Sequence, residues 1–534
     1  MSGQAAADPA IESVLPSSGT GIELELSLHP DDAARLFRAG ALATLRGTPS
    51  RPAPLLIVWH DSADSALSGM GLALTEQWLG AQLLWRLEQA RPDAGSWQPG
   101  RAAAVLAEAA SPEALVPGVA PELLPDLAPV AAFRGQQRNL RLPPDAPVSG
   151  VRLRQGVLRA VTDEVPVARL SLTGEADAVF ALALALAEQL RLCVPASSLA
   201  VEALAVARPL PPQAPPEAPR LAPDLTVGDA FAQVMGQLTA AILHFAPQIV
   251  AGVTPVPVHQ TRVALRRMRS AMSLFRRAVD CPELEAARLA LKSLARPLGP
   301  ARDWDVFTAG TGRAVGAAFN EDRAVQRLLA AAERQRSERY AALVDMLQGA
   351  DFRRLGLTLS QIAITRPWRQ AASAGAAPES GEAMPAGVTE QPLAEGGLRA
   401  YAARALSRRL RHVLAAGENY AELSADDLHQ LRIQCKRLRY ACEFFAPLFH
   451  GRDSRRAIRR LSLVQERLGH LNDGSVAGGL MAQLGGGGGA GGAGGERSFA
   501  TGVVRGFVAA QTQGARDKAE ASWRKFQREK PFWH

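Results

Sequence analysis

The sequence of 534 residues contains little cysteine, few aromatic residues and no long apolar run. Its four cysteines, Cys193, Cys281, Cys435 and Cys442, form neither a CxxC pair nor a Cys/His metal pattern. We therefore expect reduced thiols in a cytoplasmic protein and no zinc site. The first residues, MSGQAAADPAIESVLPSSGTG, lack the basic and apolar regions of a signal peptide. The apolar run AVFALALALA is too short to cross a bilayer, so no membrane span is expected.

Negative charge is scarce in the second part of the chain. Residues 1–220 contain 17 Lys and Arg against 23 Asp and Glu, whereas residues 221–534 contain 43 against 29. A basic region beside an acidic one favours a polyanionic partner for the basic region. A solvated, arginine-rich helical surface is the alternative explanation of the charge alone.

Composition and periodicity divide the chain into two domains. Period-two patterns such as GIELELSL and VARLSLTG predict a strand-rich domain over residues 1–207. The stretch RPLPPQAPPEAPRLAP predicts an extended proline-rich linker at 208–222, and helical periodicity predicts an all-α domain at 223–530.

Two low-complexity stretches interrupt the helical region. Residues 371–397 are predicted to be a disordered connector between a first repeat at about 223–370 and a second at about 398–530. The glycine-rich residues 485–495 are predicted to form a flexible loop. This loop lacks the Gly-Lys-Ser/Thr ending of a phosphate-binding loop.

One helical motif occurs twice, as VHQTRVALRRMRS and LHQLRIQCKRLRY, at an offset of 170 residues. The repeated polar residues are His259, Arg262, Arg266 and Arg269 in the first copy and His429, Arg432, Lys436 and Arg439 in the second. At about 100° per residue, each set occupies a sector of about 80° on one helix face. The opposite faces, expected to be core, carry Leu265, Met268, Met272 and Phe275, then Leu438, Cys442 and Phe445.

The first copy of this basic stripe contains no carboxylate. Like charges three or four residues apart on a helix repel, at a cost of a few tenths of a kcal/mol, roughly, per pair. An unrelieved stripe therefore indicates a bound anion, and the planar fork of arginine suits phosphate. The histidine at the head of each stripe either donates to a phosphate oxygen or is a structural histidine.

A second repeated element follows each stripe, as LGPARDWDVF and LGHLNDGSVA. In it, Leu298, Gly299 and Asp303 return as Leu468, Gly469 and Asp473. We expect Gly299 to end a helix, and Asp303 or Asp305 to cap the next helix or to orient an arginine. A carboxylate metal site is the alternative.

The paired motifs resemble the CHAD domain, the conserved histidine α-helical domain, over roughly residues 222–530. The resemblance implies two antiparallel helical bundles related by a pseudo-twofold axis, with a basic groove that binds inorganic polyphosphate. It assigns polyphosphate contacts to the eight stripe residues and, as weaker candidates, to Lys292, Arg296, Arg302, Arg459 and Arg460. Ile433 stands where many members carry a basic residue, which implies weaker binding by the second half.

The N-terminal half resembles a CYTH domain, or triphosphate tunnel metalloenzyme, in the order of IELELSL, VWHDSADSALSGMGLAL, LAPVAAFRGQQR and VARLSLTGEADAVFALALALAEQL. The resemblance implies a closed antiparallel barrel whose tunnel binds triphosphate and metal. Glu23 and Glu25 are kept, and Arg134 and Arg138 are what remains of a phosphate-binding set. The positions that depart from the pattern are Ser27, Thr75, Gln77, Val167, Arg169, Ser171, Ser198 and Leu199.

Two glutamates alone cannot hold a divalent ion and also neutralise a triphosphate. We therefore expect a non-catalytic barrel with no metal and no cofactor. The predicted function is electrostatic binding of inorganic polyphosphate, weakened by salt and located on cytoplasmic granules. Protonation of His259 and His429 below about pH 6.5 should strengthen it. Nucleic acid is disfavoured, since no aromatics interleave the stripes. The alternatives are a metal-dependent inorganic triphosphatase and a general polyanion adaptor.

Overall fold

The computed structural model describes residues 21–89, 99–115, 121–160, 163–208, 221–252, 254–369, 397–449, 451–485, 492–512 and 514–533. Almost all of the predicted linker at 208–222 and connector at 371–397 lies outside these ranges. All four cysteines are free, as expected, and three of them are buried.

The N-terminal domain is built on one antiparallel sheet of ten strands. The strands are β1 (Gly21–Leu28), β2 (Thr48–Pro49), β3 (Ala53–Asp61), β4 (Leu72–Leu79), β5 (Gln82–Gln89), β6 (Ala104–Ala109), β7 (Ala128–Arg141), β8 (Val148–Arg159), β9 (Glu164–Glu175) and β10 (Leu192–Cys193). Their order is β10-β1-β9-β8-β7-β3-β4-β5-β6, and β2 pairs with β7.

The sheet closes on itself where the segment before β6 meets β1. The amide of Glu25 donates to the carbonyl oxygen of Gly100 at 2.7 Å, and the amide of Ala102 donates to that of Glu23 at 3.2 Å. These bonds remove the free edge of β1 opposite β9. The closed antiparallel barrel expected from the sequence is thereby confirmed.

The helices of the N-terminal domain are α1 (Gly40–Ala43), α2 (Ala66–Gly69), α3 (Ala176–Gln189) and α4 (Leu199–Ala207). Along β1, the leucines at 24, 26 and 28 are buried in a core shared with α3, outside the sheet. Because successive side chains of a strand point to opposite faces, Glu23 and Glu25 point to the other face, into the barrel. The alternation IELELSL thus builds a barrel with an apolar outer wall and a polar interior.

The C-terminal region is all-helical, as predicted. Its helices are α5 (Val227–Ala251), α6 (Val256–Phe275), α7 (Pro282–Phe307), α8 (Arg313–Ala318), α9 (Arg323–Gln348), α10 (Ala350–Thr365), α11 (Leu398–Ala416), α12 (Ala425–Phe445), α13 (Gly451–Gly485), α14 (Gly492–Thr512) and α15 (Ala515–Gln527). The predicted loop at 485–495 is too long: α13 includes Gly485 and α14 begins at Gly492.

The sequence repeat is also a structural repeat. Helices α5, α6 and α7 begin within one or two residues of the positions that an offset of 170 assigns to α11, α12 and α13. All seven predicted core residues of α6 and α12 are buried in one hydrophobic core. The rings of Phe275 and Phe445, which are equivalent in the two copies, lie 5.6 Å apart. A residue contacts its own equivalent only near a twofold axis, so the pseudo-twofold axis passes close to this pair.

Helix α5 is, by length and composition, apolar enough to cross a membrane, but 67% of its most apolar window is buried within the protein. It is a core helix of the domain. Leu243 of α5 and Leu357 of α10 also join the core that covers β1, and Arg354 of α10 pairs with Glu188 of α3. The helical domain therefore packs directly on the outer wall of the barrel.

Candidate functional site

Four cations from the two repeats meet near the pseudo-twofold axis: Arg262 and Arg266 of α6 with Arg432 and Lys436 of α12. We call these four residues the central cluster. Burial and then the charges of Arg432, Arg266, Arg262 and Arg439, in that order, together lower the pKa of Lys436 to about 7. Lys436 of the second copy is thus repelled by arginines of both copies, so the two basic stripes face each other. Arg266 and Lys436 are equivalent residues, which places them beside the axis.

The repeated glycine lies next to the side chain of the repeated arginine. Gly299 lies inside α7, so the expectation that it ends a helix is wrong. A Cβ at Gly299 would lie 3.2 Å from a terminal guanidinium nitrogen of Arg262. At Gly469, inside α13, the corresponding distance to the Nε of Arg432 is 3.9 Å. Without a Cβ at position 299, the Arg262 guanidinium can lie close against the α7 backbone.

Further cations extend the central cluster along α6 and α7. Burial lowers the pKa of His259, and Arg302, Arg266 and Arg262 lower it further. In the free protein, His259 therefore gains its proton below the pH 6.5 expected from the sequence. Burial raises the pKa of Asp303, outweighing the opposite influence of Arg262 and Arg302. This carboxyl is thus shifted toward its neutral form, and it relieves the positive field only partly.

Asp305 has a structural role, distinct from that of Asp303. Both aspartates lie inside α7, so neither caps a following helix, contrary to one of the expectations. Asp305 is 2% exposed and accepts hydrogen bonds from the Nε of Arg336 and the hydroxyl of Tyr340, both at 2.8 Å. It orients an arginine, the other predicted role. Among the described residues, no three His, Cys, Asp or Glu side chains are grouped to hold a metal ion.

The other predicted residues lie at the margins of the central cluster. Arg439 pairs with Glu443 at 2.7 Å and donates to the side chain of Gln465 at 3.1 Å. Arg460 pairs with Glu529 near the C-terminus at 3.2 Å. The remaining candidates are exposed on their helices: Arg269, Lys292, Arg296, His429 and Arg459. Arg269, Lys292, Arg296 and Arg459 therefore carry positive charge that is accessible to solvent.

Two buried hydroxyl groups beside the central cluster were missed by the sequence reasoning. The Tyr440 and Ser270 side chains occupy equivalent positions, and within the described structure their hydroxyls have no hydrogen-bond partner. Tyr440 interacts electrostatically with Arg262, and the Arg439 guanidinium lies 5.0 Å from its ring centroid. The sequence could have indicated them, because Ser270 and Tyr440 are related by the 170-residue offset and both carry a hydroxyl group.

A cavity of about 420 Å³ adjoins the cluster through Asp303. It lies between α7, α9 and α13 and is lined by Pro300, Asp303, Gln335, Arg339, Leu480 and Gln483. Four of its six lining residues have polar side chains.

The barrel interior is a second, smaller polar site, with a cavity of about 80 Å³. Its charged lining consists of Glu23, Glu25, Arg86, Glu88, Arg152 and Arg154. The last four were missed, although the alternation in WRLE and VRLR points each pair to one face. The expected Arg134 and Arg138 do not line it. Arg134 is exposed on β7, and Arg138 lies over the ring of Phe37 at 4.6 Å.

Charges inside the barrel are paired with each other. Arg169 is 2% exposed, lies 3.5 Å from Glu25 and pairs with Glu202 of α4. Arg152 lies 3.6 Å from Glu23. Burial raises the pKa of Glu25 and of Glu88. Because divalent ions bind deprotonated carboxylates, these residues do not fit the metal that the CYTH resemblance implies. The Arg169 guanidinium supplies positive charge at the position where that pattern has a glutamate.

The arrangement defines an all-helical domain with two-copy symmetry and a basic centre. Residues 233–482 match the family model of the CHAD domain. No curated protein sequence matches the chain.

Solved structures similar to the chain include the CHAD domain of the plant Ricinus communis, at 26% identity and a TM-score of 0.49, covering 60% of this chain and 98% of that one. PptA from Streptomyces chartreusis has 16% identity and a TM-score of 0.40, covering 56% and 99%. HpAC1 from Hippeastrum, described as having a dominant triphosphatase activity, has 16% identity and a TM-score of 0.24, covering 32% and 87%. Since all these TM-scores are below 0.5, the fold is assigned from the strand order and helix packing of the protein itself.

Proposed function

We propose that the protein binds inorganic polyphosphate at the central cluster. The observation that supports this most directly is the convergence of Arg262, Arg266, Arg432 and Lys436, where burial and then the charges of neighbouring arginines lower the pKa of Lys436 to about 7. Folding brings these like charges together at a cost in free energy. A polyanion between the two stripes would relieve that repulsion, so the cluster is preorganised for a linear chain of phosphates.

The contact residues follow from the geometry. Arg262 and Arg432 present planar donor groups for phosphate oxygens, and Lys436 adds a point charge at the axis. The buried hydroxyls of Ser270 and Tyr440 add neutral donors. A DNA duplex is much wider than a bare phosphate chain, which favours polyphosphate over DNA.

The test is a titration of the full-length protein with long-chain polyphosphate at low and moderate salt. Tripolyphosphate and duplex DNA are compared at equal phosphate concentration. We expect selective binding of the long chain that weakens about tenfold or more between 50 and 200 mM salt, roughly as for nucleic acids. Equal affinity for duplex DNA would instead favour a general polyanion adaptor.

The matched variants separate the site from the overall charge. One protein carries Gln at positions 262, 266, 432 and 436. The control carries Gln in place of four exposed arginines elsewhere: Arg313, Arg323, Arg334 and Arg528. Both lose four positive charges. We expect the first to lose at least 100-fold in affinity and the control less than threefold. Equal losses would show that net charge, and not the central cluster, governs binding.

We also propose that the barrel is not a metal-dependent triphosphatase, because Arg169 already occupies its carboxylates. Phosphate release from tripolyphosphate, measured with Mg²⁺ or Mn²⁺, should not exceed that of the Glu25→Ala variant. Metal-dependent release that disappears in Glu23→Ala and Glu25→Ala would contradict this. In cells, a fluorescent fusion should accumulate on polyphosphate granules and disperse when the central cluster is changed.

A further inference from the structure

One difference between the two copies changes the charge balance at the end of each basic stripe. In the second copy, Glu443 follows Arg439 by one helical turn. Its carboxylate accepts from Arg439 at 2.7 Å and lies 3.5 Å from Arg267 of the first copy. The equivalent of Glu443 in the first copy is Ser273. The carboxylate therefore has no counterpart across the pseudo-twofold axis.

The arginines around Glu443 do have counterparts around Ser273. The offset of 170 relates Arg439 to Arg269 and Arg267 to Arg437. Arg269 precedes Ser273 by four residues on α6, as Arg439 precedes Glu443 on α12, so it lies on the same face one turn away. Arg269, Ser273 and Arg437 are all exposed.

A third arginine completes the arrangement on the first copy. Arg409 of α11 donates from a terminal guanidinium nitrogen to the Ser273 hydroxyl at 2.9 Å. Burial, and then the charges of Arg437 and Arg408, lower the pKa of Arg409, which shows that these guanidinium groups lie near each other. Helix α11 contains no acidic residue. In the described part of the chain, none of Arg269, Arg409 and Arg437 forms an ion pair with a carboxylate, whereas Arg439 and Arg267 both do.

We propose that Ser273, Arg269, Arg409 and Arg437 form a second anion site, which binds one tetrahedral phosphate group in the place that Glu443 fills in the other copy. The Ser273 hydroxyl accepts from Arg409 and can donate its own proton to a phosphate oxygen. The three guanidinium groups provide charge-assisted donors. The phosphate is either free inorganic phosphate or one unit of a chain that continues from the central cluster past Arg269.

Binding of free phosphate does not depend on polyphosphate binding by the central cluster, whereas binding of a chain unit rests on that proposed function. The experiment is designed to keep the two apart. All proteins are full-length and carry Gln at positions 262, 266, 432 and 436, which removes the four charges of the central cluster. Into this background are introduced Ser273→Glu, Ser273→Gln as a neutral control of the same size, and Glu443→Ser. The last variant gives the second repeat the serine and two of the three arginines of the proposed site, since Thr239 is the counterpart of Arg409.

The first measurement is the melting temperature at low salt, without and with inorganic phosphate, at matched ionic strength. Ser273→Glu should raise the melting temperature above that of Ser273→Gln, since the new carboxylate enters a ring of unpaired arginines. It should also abolish the phosphate-dependent rise. Glu443→Ser should lower the melting temperature without phosphate and enlarge the rise with it.

The second measurement distinguishes the two sources of the phosphate. This measurement uses a protein whose central cluster is intact. If Ser273→Glu lowers the affinity for long-chain polyphosphate at least fivefold, and inorganic phosphate does not raise the melting temperature even with Ser273 present, the site binds a unit of the chain. Loss of the response to inorganic phosphate assigns it to the free anion. Equal melting temperatures of Ser273→Glu and Ser273→Gln, or an undiminished response of Ser273→Glu to both ligands, would overturn the proposal.

Discussion

The barrel interior and the central cluster both gather arginines, but they neutralise them differently. In the barrel, Arg169 lies against Glu25 and Glu202, and Arg86 pairs with Glu108 at 2.7 Å. In the helical domain, burial lowers the pKa of Arg262 and of Lys436, and the charge of Arg266 lowers both further. The barrel interior contains carboxylates that neutralise its arginines. The central cluster contains few, so an anion from solution would have to neutralise most of its positive charge.

The difference indicates which site is prepared for a ligand. An internal ion pair stabilises its surroundings only as long as both partners remain, and a ligand must displace one of them. Like charges held near each other weaken the folded state, and an anion that binds them adds its binding free energy to stability. The predictions below compare the two sites, from the largest expected effect to the smallest.

Replacing Arg169 with Ala should destabilise the protein by about 3–5 kcal/mol, because it leaves the Glu25 and Glu202 carboxyls without their buried partner. Urea unfolding of the barrel transition measures this. Arg262→Gln in the central cluster should cost less than about 1 kcal/mol, since the lost contacts are offset by relief of repulsion. A cost for Arg169→Ala below that of Arg262→Gln would erase the distinction between the sites.

Lys436→Gln should stabilise the protein at pH 7, by about 1–2 kcal/mol after allowance for solvent screening. The pKa of Lys436 is about 7 in the folded protein, against 10.5 for an ordinary lysine. Below pH 7 both folded and unfolded states hold the proton, and the folded state bears the full cost. Between pH 7 and 10.5 the unfolded state binds more protons, so this cost falls as pH rises.

The corresponding measurement is the melting temperature of both proteins at several values of pH from 6 to 10. The advantage of Lys436→Gln should be largest near neutrality and should shrink toward alkaline pH. An advantage that is constant with pH would mean that Lys436 is not held near the arginines.

Gly299→Ala and Gly469→Ala should separate helix stability from ligand binding. Each removes a helix-interior glycine and should stabilise α7 or α13 by up to about 1 kcal/mol. At Gly299 the new Cβ would lie 3.2 Å from the Arg262 guanidinium, so Arg262 must move and polyphosphate affinity should fall several-fold. At Gly469 the distance of 3.9 Å is ordinary contact, and affinity should hold. Thermal unfolding and polyphosphate titration of both variants measure the two effects. Equal affinities would contradict the close contact between the Arg262 guanidinium and Gly299.

Arg302→Gln and Arg460→Gln compare two residues that the sequence could not rank. Arg302 interacts electrostatically with His259 and Arg262, so its loss should weaken polyphosphate binding by about threefold to tenfold. Arg460 already pairs with Glu529, so its loss should change affinity by less than about twofold. A larger effect of Arg460→Gln in the same titration would place the ligand along α13, away from the axis.

Local patterns were enough to predict the elements of this protein. Period-two alternation predicts β1 and β9, helical periodicity predicts α6 and α12, and the 170-residue offset predicts their equivalence together with the buried face that ends at Phe275 and Phe445. These features depend on neighbours in sequence, because side-chain direction in a strand or helix is set by the backbone repeat.

Only the tertiary structure decided which charges meet. Gly299 reads as a helix end in the sequence but seats Arg262 within α7, and Arg138 reads as a tunnel residue but lies over Phe37 outside the barrel. Arg169 and Glu202, or Arg409 and Ser273, are brought together by packing between elements distant in the chain. Electrostatic interactions depend on distances in space and on burial, and neither is encoded in residue spacing.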